Sequence, residues 1–290
     1  MSSPVYAYYP GCSLHSSAKE YDASLRLVCR GLGIELRELE GWTCCGASSA
    51  HLADPLLALA LPARQLYLAG EAGLPLAVAC AMCFARLKLA AQQLGDKAAR
   101  AAVEGILGRK LQDRWEIRHL LEILEGEAQR AQLARPLAGL RVACYYGCLL
   151  VRPEAVALDD AENPTMMDRL IKALGAEAVD WAFKTECCGA GLALSQPEVA
   201  LRLSHQILRQ ARSAGADCIS VACPMCHSNL DAYQGAMKAK YSDDFEMPVL
   251  YFSQLFGLAL GFTPKQLLLE RHFTSPMPVL AQRQLVLKGR

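Results

Sequence analysis

Short apolar and aromatic runs alternate along this chain with longer amphipathic stretches. Residues 5–9 (VYAYY) and 140–146 (LRVACYY) have the length and composition of strands. Residues 34–39 and 178–183 predict second strands, and 76–79 and 218–222 third ones. Helical patterns fall between them at 18–32 and 166–174, then at 55–69 and 197–214. Asp54-Pro55 and Gln196-Pro197 place a proline in the first turn of the later pair, and Gly215 follows as a stop. Pro62 should kink the helix at 55–69, where the other copy carries His205. Residues 115–124 and 249–260 read as closing strand–helix units. Strands alternating with helices predict an α/β fold with mostly parallel sheets and right-handed crossovers.

The pattern occurs twice, and the cysteines repeat with it. Cys12 after Tyr8-Tyr9-Pro10-Gly11 matches Cys148 after Tyr145-Tyr146-Gly147. Cys44-Cys45-Gly46 returns as Cys187-Cys188-Gly189, and Cys80-Ala81-Met82-Cys83 as Cys223-Pro224-Met225-Cys226. The offset is 136 for the first cysteine and 143 for the other four, so seven extra residues enter the second copy, within 151–164. The fold is therefore two tandem pseudo-symmetric repeats, each a mostly parallel sheet flanked by helices. The polar stretch 129–140, with Pro136 and Gly139, separates domains 1–134 and 135–290. Every repeated cysteine comes just after a strand. Parallel strands share one carboxyl edge, so each five-cysteine set should gather there.

Composition narrows the chemistry. A hydrophobic share of 53% excludes a disordered chain, and a net charge of +1 gives no footprint for nucleic acid. The N-terminal MSSPVYAYYPGC has no basic region followed by an apolar one, so no export signal is expected and a cytoplasmic location is. Thirteen cysteines in such a chain point to metal or redox chemistry rather than disulfides. Residues 247–264 carry no charge, but a span needs about 20 predominantly apolar residues. Pro248, Ser253, Gln254, Gly257, Gly261 and Thr263 interrupt the run. It predicts a buried strand and short helix, with membrane contact only through a partner.

Three kinds of site are open to these cysteines. Cys80, Cys83, Cys223 and Cys226 suffice for one tetrahedral zinc bridging the halves, with the other six idle. A Cys-x-x-Cys dithiol likewise leaves the rest unexplained. Iron–sulfur binding uses all ten. Gly46 and Gly189, lacking a Cβ, would let the backbone approach an inorganic core.

The doubled pattern of one cysteine, Cys-Cys-Gly and Cys-x-x-Cys resembles the cysteine-rich CCG family, and within it the B-type catalytic subunits of heterodisulfide reductases. YYPGC, WTCCG, CAMCF, YYGCLLVRP, ECCGAG and CPMCHSNLD carry the likeness, together with the late PVLYFSQLFGLALG. The resemblance implies one noncubane [4Fe–4S] cluster per repeat. Cys12, Cys44, Cys45, Cys80 and Cys83 would hold one, and Cys148, Cys187, Cys188, Cys223 and Cys226 the other. It implies a disulfide oxidoreductase whose substrate, a disulfide or thiol, reacts between the clusters. With no flavin or nucleotide fingerprint in the chain, electrons would come from a ferredoxin-like iron–sulfur subunit (C type) and a flavoprotein subunit (A type). A non-catalytic relay or quinone-linked coupling subunit is the alternative role.

Several side chains remain. Cys29, Cys144 and Cys218 lie in apolar runs and read as core. His15 and His227, close after cluster cysteines, are candidate proton donors, and His51 is a weaker one. Arg152 is a candidate contact for an anionic substrate. The segment 247–264 is the best candidate for part of a partner-docking surface, the competing reading being core packing by Tyr251, Phe252, Leu255 and Phe256.

Overall fold

Strands and helices repeat as the cysteines do. The computed structural model describes residues 3–47, 49–244 and 246–286. The first half runs β1 (Val5–Tyr9), α1 (Cys12–His15), α2 (Lys19–Gly31), β2 (Glu35–Glu38), α3 (Ala50–Ala53) and α4 (Pro55–Ala72). It continues with β3 (Leu76–Val78), α5 (Ala81–Gln93), α6 (Lys97–Leu107), β4 (Ile117–His119) and α7 (Leu120–Ala128). The second half runs β5 (Arg141–Tyr145), α8 (Met166–Ala173), β6 (Glu177–Ala178), α9 (Pro197–Ser213) and β7 (Cys218–Val221). After it come α10 (Pro224–Asp231), α11 (Gln234–Tyr241), β8 (Val249–Tyr251), α12 (Phe252–Ala259) and α13 (Met277–Gln282).

Each half forms a four-stranded parallel sheet, in the orders β2-β1-β3-β4 and β6-β5-β7-β8. The registers correspond: Tyr9 faces Val78 and Val78 faces His119, as Tyr145 faces Val221 and Val221 faces Tyr251. The inner strands β3 and β7 are buried throughout, because helices cover both faces. The α/β fold of two tandem repeats is therefore as the sequence predicts. The second strand of the second half is shorter than residues 178–183. After Val179 N–H bonds to Val142 O, the chain turns away and Trp181 gives its indole N–H to Cys144 O.

Local signals set the helix ends. The Asp54 carboxylate accepts Leu57 N–H at 2.7 Å and Pro55 fills the first turn, while Gly73 ends α4 with φ 62°. The helix continues through Pro62.

Four helices fill the seam between the sheets. α2 packs on α12 and α7 on α8, a pseudo-symmetric arrangement. Inside it Ser24 and Ser253 share a 2.7 Å hydrogen bond, and the rings of Tyr21 and Tyr251 stack at 4.0 Å. Every residue of α12 is buried, which accounts for the uncharged segment. Tyr251, Phe252, Leu255 and Phe256 are 0% exposed, so this stretch is core and not the expected docking surface. Among the described residues no helix is long and apolar enough to cross a membrane. The halves also interlock near the sites: α1 leans on α10, and the turn Glu154–Val156 in the inserted loop leans on α5.

Candidate iron–sulfur centres

β1 and β3 deliver Cys12 and Cys80 directly, β5 and β7 deliver Cys148 and Cys223, and the Cys-Cys pairs arrive on the loops after β2 and β6. Sγ of Cys12 lies 3.9 Å from Cys44, that of Cys45 3.3 Å from Cys83, and that of Cys188 3.5 Å from Cys226. Cys44 and Cys45, Cys80 and Cys83, Cys223 and Cys226, and Cys148 and Cys187 also stand near enough to shift each other's acidity. The same influence passes between Cys80 and Cys223, from one repeat to the other. The structure thus brings together all ten predicted cysteines. They form two groups whose buried ends, Cys80 and Cys223, influence each other across the repeats.

All are free thiols, and their spacings far exceed the ~2.05 Å of a disulfide bond. Thiolates on one tetrahedral metal at about 2.3 Å stand about 3.8 Å apart, close to what is seen. The sulfurs share protons. Hydrogen bonds from Cys44 and Cys83 pull Cys45 down to about 3, and one from Cys148 pulls Cys187 down to about 6. Cys226 and Cys80 hold Cys223 well below the usual thiol range. Cys44 and Cys83 are pushed up first by Cys45, Cys148 by Cys187, and Cys226 by Cys188 and then Cys223. Thiolates so crowded suit a multinuclear cation. Cys12, Cys44 and Cys187 are exposed and Cys148 is half-buried, whereas the Cys-x-x-Cys ends are buried. Each group opens to solvent at one end and closes at the inter-repeat junction.

Supporting residues repeat as well. Tyr9 and Tyr145 donate their hydroxyls to Thr43 O at 2.9 Å and Glu186 O at 2.6 Å, the carbonyls just before each Cys-Cys pair. Gly46 and Gly189 point their N–H groups at Cys44 Sγ (3.4 Å) and Cys187 Sγ (3.3 Å). A Cβ on Gly46 would strike Ala50 and Leu61, and one on Gly189 would strike Ala200, so the demand comes from adjacent helices and positive φ. The close approach to sulfur occurs at Gly11 and Gly147, where a Cβ would come 3.0 Å from Cys83 Sγ and 3.2 Å from Cys226 Sγ. The legible signal for both was the shared Tyr-x-Gly-Cys ending, with Tyr three residues before each first cysteine.

The other predicted residues have varied fates. His15 sits half-exposed on α1, its Nε2 3.0 Å from Glu38 and its ring edge-on to Trp42. His227 is buried, and burial lowers it to about 3. Its Nε2 lies 3.0 Å from both Val249 O and His272 Nδ1, a closed network beneath β8. Arg152 donates to Thr185 O, Ala161 O and the Glu162 carboxylate, holding the inserted loop in place. His51 pairs with Arg86 at 3.3 Å. Cys29, Cys144 and Cys218 are buried outside the two groups, and burial pushes Cys29 up to about 12.

The cysteine-rich CCG domain matches twice, over residues 6–88 and 142–231. The chain belongs to the CCG family. CCG relatives resemble it over nearly its whole length. It is 35% identical to the 8-methylmenaquinol:fumarate reductase membrane anchor subunit of Wolinella succinogenes, covering 90% of this chain and 94% of that one. It is 33% identical to the B-type subunit of a ferredoxin/F420H2-dependent CoB–CoM heterodisulfide reductase of Methanosarcina acetivorans, covering 94% and 95%. A crystal structure of a hypothetical protein from Helicobacter pylori shares the fold, with TM-score 0.78 and 15% identity over 95% of this chain, which spans only 53% of that one. With ten gathered thiols, this CCG chain is an iron–sulfur redox subunit. The zinc reading would leave Cys45 and Cys188 idle, although they lie 3.3 Å from Cys83 and 3.5 Å from Cys226.

Proposed function

We propose that this chain is the catalytic iron–sulfur subunit of a heterodisulfide reductase-like complex, reducing a disulfide between two noncubane [4Fe–4S] clusters. The observation that carries the reading is the gathering of both complete five-cysteine sets, with Cys45 3.3 Å from Cys83 in one and Cys188 3.5 Å from Cys226 in the other. Cys12, Cys44, Cys45, Cys80 and Cys83 hold one cluster, and Cys148, Cys187, Cys188, Cys223 and Cys226 the other. When bound, the clusters supply the two electrons that disulfide reduction consumes. The protein supplies placement. Tyr9 and Tyr145 clamp the loops that present the Cys-Cys pairs, and the glycine N–H groups orient Cys44 and Cys187. Exposed Cys12, Cys44 and Cys187 mark where substrate enters. His15, beside Cys12 and paired with Glu38, is positioned to hold a proton for a departing thiolate. His227 and Arg152 are occupied by their own networks and are not assigned such roles.

The repeats divide at 134/135, and the chain works in the cytoplasm, fed by a ferredoxin-like iron–sulfur subunit and a flavoprotein. A second reading has an observation of its own. The likeness to a fumarate reductase membrane anchor subunit favours a relay or quinone-linked coupling role, with membrane contact through a partner. Anaerobically purified, iron-loaded protein, given reduced viologen and a panel of mixed disulfides, separates the two. Disulfide-dependent viologen oxidation by the isolated subunit supports catalysis. No turnover alone, with cluster reoxidation by a quinone analogue once partners are added, supports the relay.

A further inference from the structure

Among the described residues, two buried side-chain atoms without a hydrogen-bond partner occupy one and the same position in the two repeats: His119 Nε2 and the Tyr251 hydroxyl. His119 ends β4 opposite Val78, and Tyr251 ends β8 opposite Val221. Each therefore stands beside the chain two residues before Cys80 or Cys223. Each also heads the following helix, α7 or α12. Both are 0% exposed, so bulk solvent does not reach them.

The polarity of these atoms follows from their surroundings. His119 Nδ1 accepts Leu121 N–H at 3.1 Å, which places the proton of the neutral ring on Nε2. His119 thus presents an N–H that has Ala79 O near it but no well-formed hydrogen bond, and Tyr251 an unmatched O–H. The neighbouring walls offer little. Phe84 stands edge-on to His119 at 5.5 Å and Phe252 is tilted at 6.4 Å. Tyr251 is sandwiched between Tyr21 at 4.0 Å and His227 at 4.4 Å. Tyr21 itself bonds to the carbonyls just before both junction cysteines, Ala79 O at 2.9 Å and Ala222 O at 3.5 Å. The Cys223 sulfur acts on both His119 and Tyr251, and the Cys80 sulfur on Tyr251 as well. Buried donors left unmatched in a native fold call for an acceptor, and sulfur is the acceptor class gathered at this junction.

We propose that His119 and Tyr251 are pseudo-symmetric hydrogen-bond donors to sulfur of the iron–sulfur centres at the Cys80–Cys223 junction. Imidazole N–H in one repeat and phenol O–H in the other make the two centres inequivalent. The proposal rests on iron–sulfur groups being held there, not on which substrate is reduced. Hydrogen bonds to cluster sulfur are among the factors that set reduction potential, and they favour the more negatively charged reduced state. Both residues are positioning groups.

The test uses anaerobically prepared, iron-loaded full-length protein titrated with redox mediators and followed by EPR. Tyr251→Phe removes only the hydroxyl and keeps the stack. His119→Asn keeps an acceptor for Leu121 N–H and removes the Nε2 donor. The expected result is wild-type iron content with a midpoint shifted to lower potential in each variant, the two variants moving different EPR signals. His119→Gln, which restores an N–H near Nε2, should return the potential toward wild type. Full iron content with unmoved potentials and signals in Tyr251→Phe and His119→Asn would overturn the proposal. Should His119→Asn lose iron, the Tyr251→Phe titration decides alone. Absence of iron from the wild-type protein would sink the iron–sulfur assignment itself, a separate result.

Discussion

Cys80 and Cys223 face each other across the junction of the two repeats, close enough for each thiol to shift the other's acidity. Each ends the buried limb of its own sulfur group, since Cys80 also meets Cys83 and Cys223 also meets Cys226. The two centres are therefore neighbours through their ligands, and a change in one reaches the other without crossing the core. Tyr21 reinforces this by reaching Ala79 O and Ala222 O with one hydroxyl.

Mutual dependence follows for catalysis. Cys45→Ser removes a thiol 3.3 Å from Cys83, and Cys188→Ser one 3.5 Å from Cys226. If one disulfide is reduced between both centres, either change should abolish turnover even though the other set of five is intact. Steady-state disulfide reduction with an artificial donor measures this. Retained turnover in a variant that has lost half its iron would point to a single-centre mechanism or a relay.

Iron content is the most direct check on the site. Two four-iron groups predict about eight irons and comparable acid-labile sulfide per chain in anaerobic preparations, with the brown colour of iron–sulfur protein. About one metal per chain, mostly zinc, would overturn the assignment.

Much of this arrangement was legible in residue order. The strand runs, their alternation with helices and the doubled cysteines led to two parallel sheets with the ligands at one edge, because parallel strands have a common carboxyl end. What the chain order concealed was contact between the repeats. The residues flanking Cys80 allow a meeting with Cys223 but do not require it, and nothing in them says that Tyr21 bridges two carbonyls, since such contacts depend on how α2 and α12 pack. His119 was equally hidden: a lone histidine ending a three-residue strand matters only once its register with Val78 shows it to be Tyr251's counterpart. His227 stood beside a ligand in sequence, but helix α10 turns its ring toward Val249 and His272.

Phe256 tests the role of the uncharged segment. It is 0% exposed in α12, which packs against α2 and α8. Phe256→Glu buries an unpaired carboxylate in the seam and should cost at least about 4 kcal/mol, a large part of ordinary domain stability. Insoluble expression or a steep loss of thermal stability is expected. A soluble, iron-loaded variant that merely fails to co-purify with partner subunits would show that the surface of this segment is a docking site after all.

Acid stability gives the last prediction, and its sign follows from burial. His227 and His272 lie together under β8 and are lowered to about 3 and about 4, chiefly by desolvation. In the unfolded chain each takes up a proton near pH 6.5, the ordinary histidine value. Between about 6.5 and those lowered values the unfolded state binds more protons, so stability rises with pH and is lost as pH falls. Each such histidine contributes about 1.4 kcal/mol per pH unit inside that window. The melting temperature should therefore drop from pH 7 to pH 5. His272→Gln can still accept the Gln254 N–H that now meets His272 Nε2 at 2.9 Å, and it removes one titrating ring. Its melting temperature should depend less steeply on pH than that of the wild type, measured anaerobically at matched iron content. Equal slopes in the two proteins would mean that the His227–His272 pair is not the acid-sensitive element.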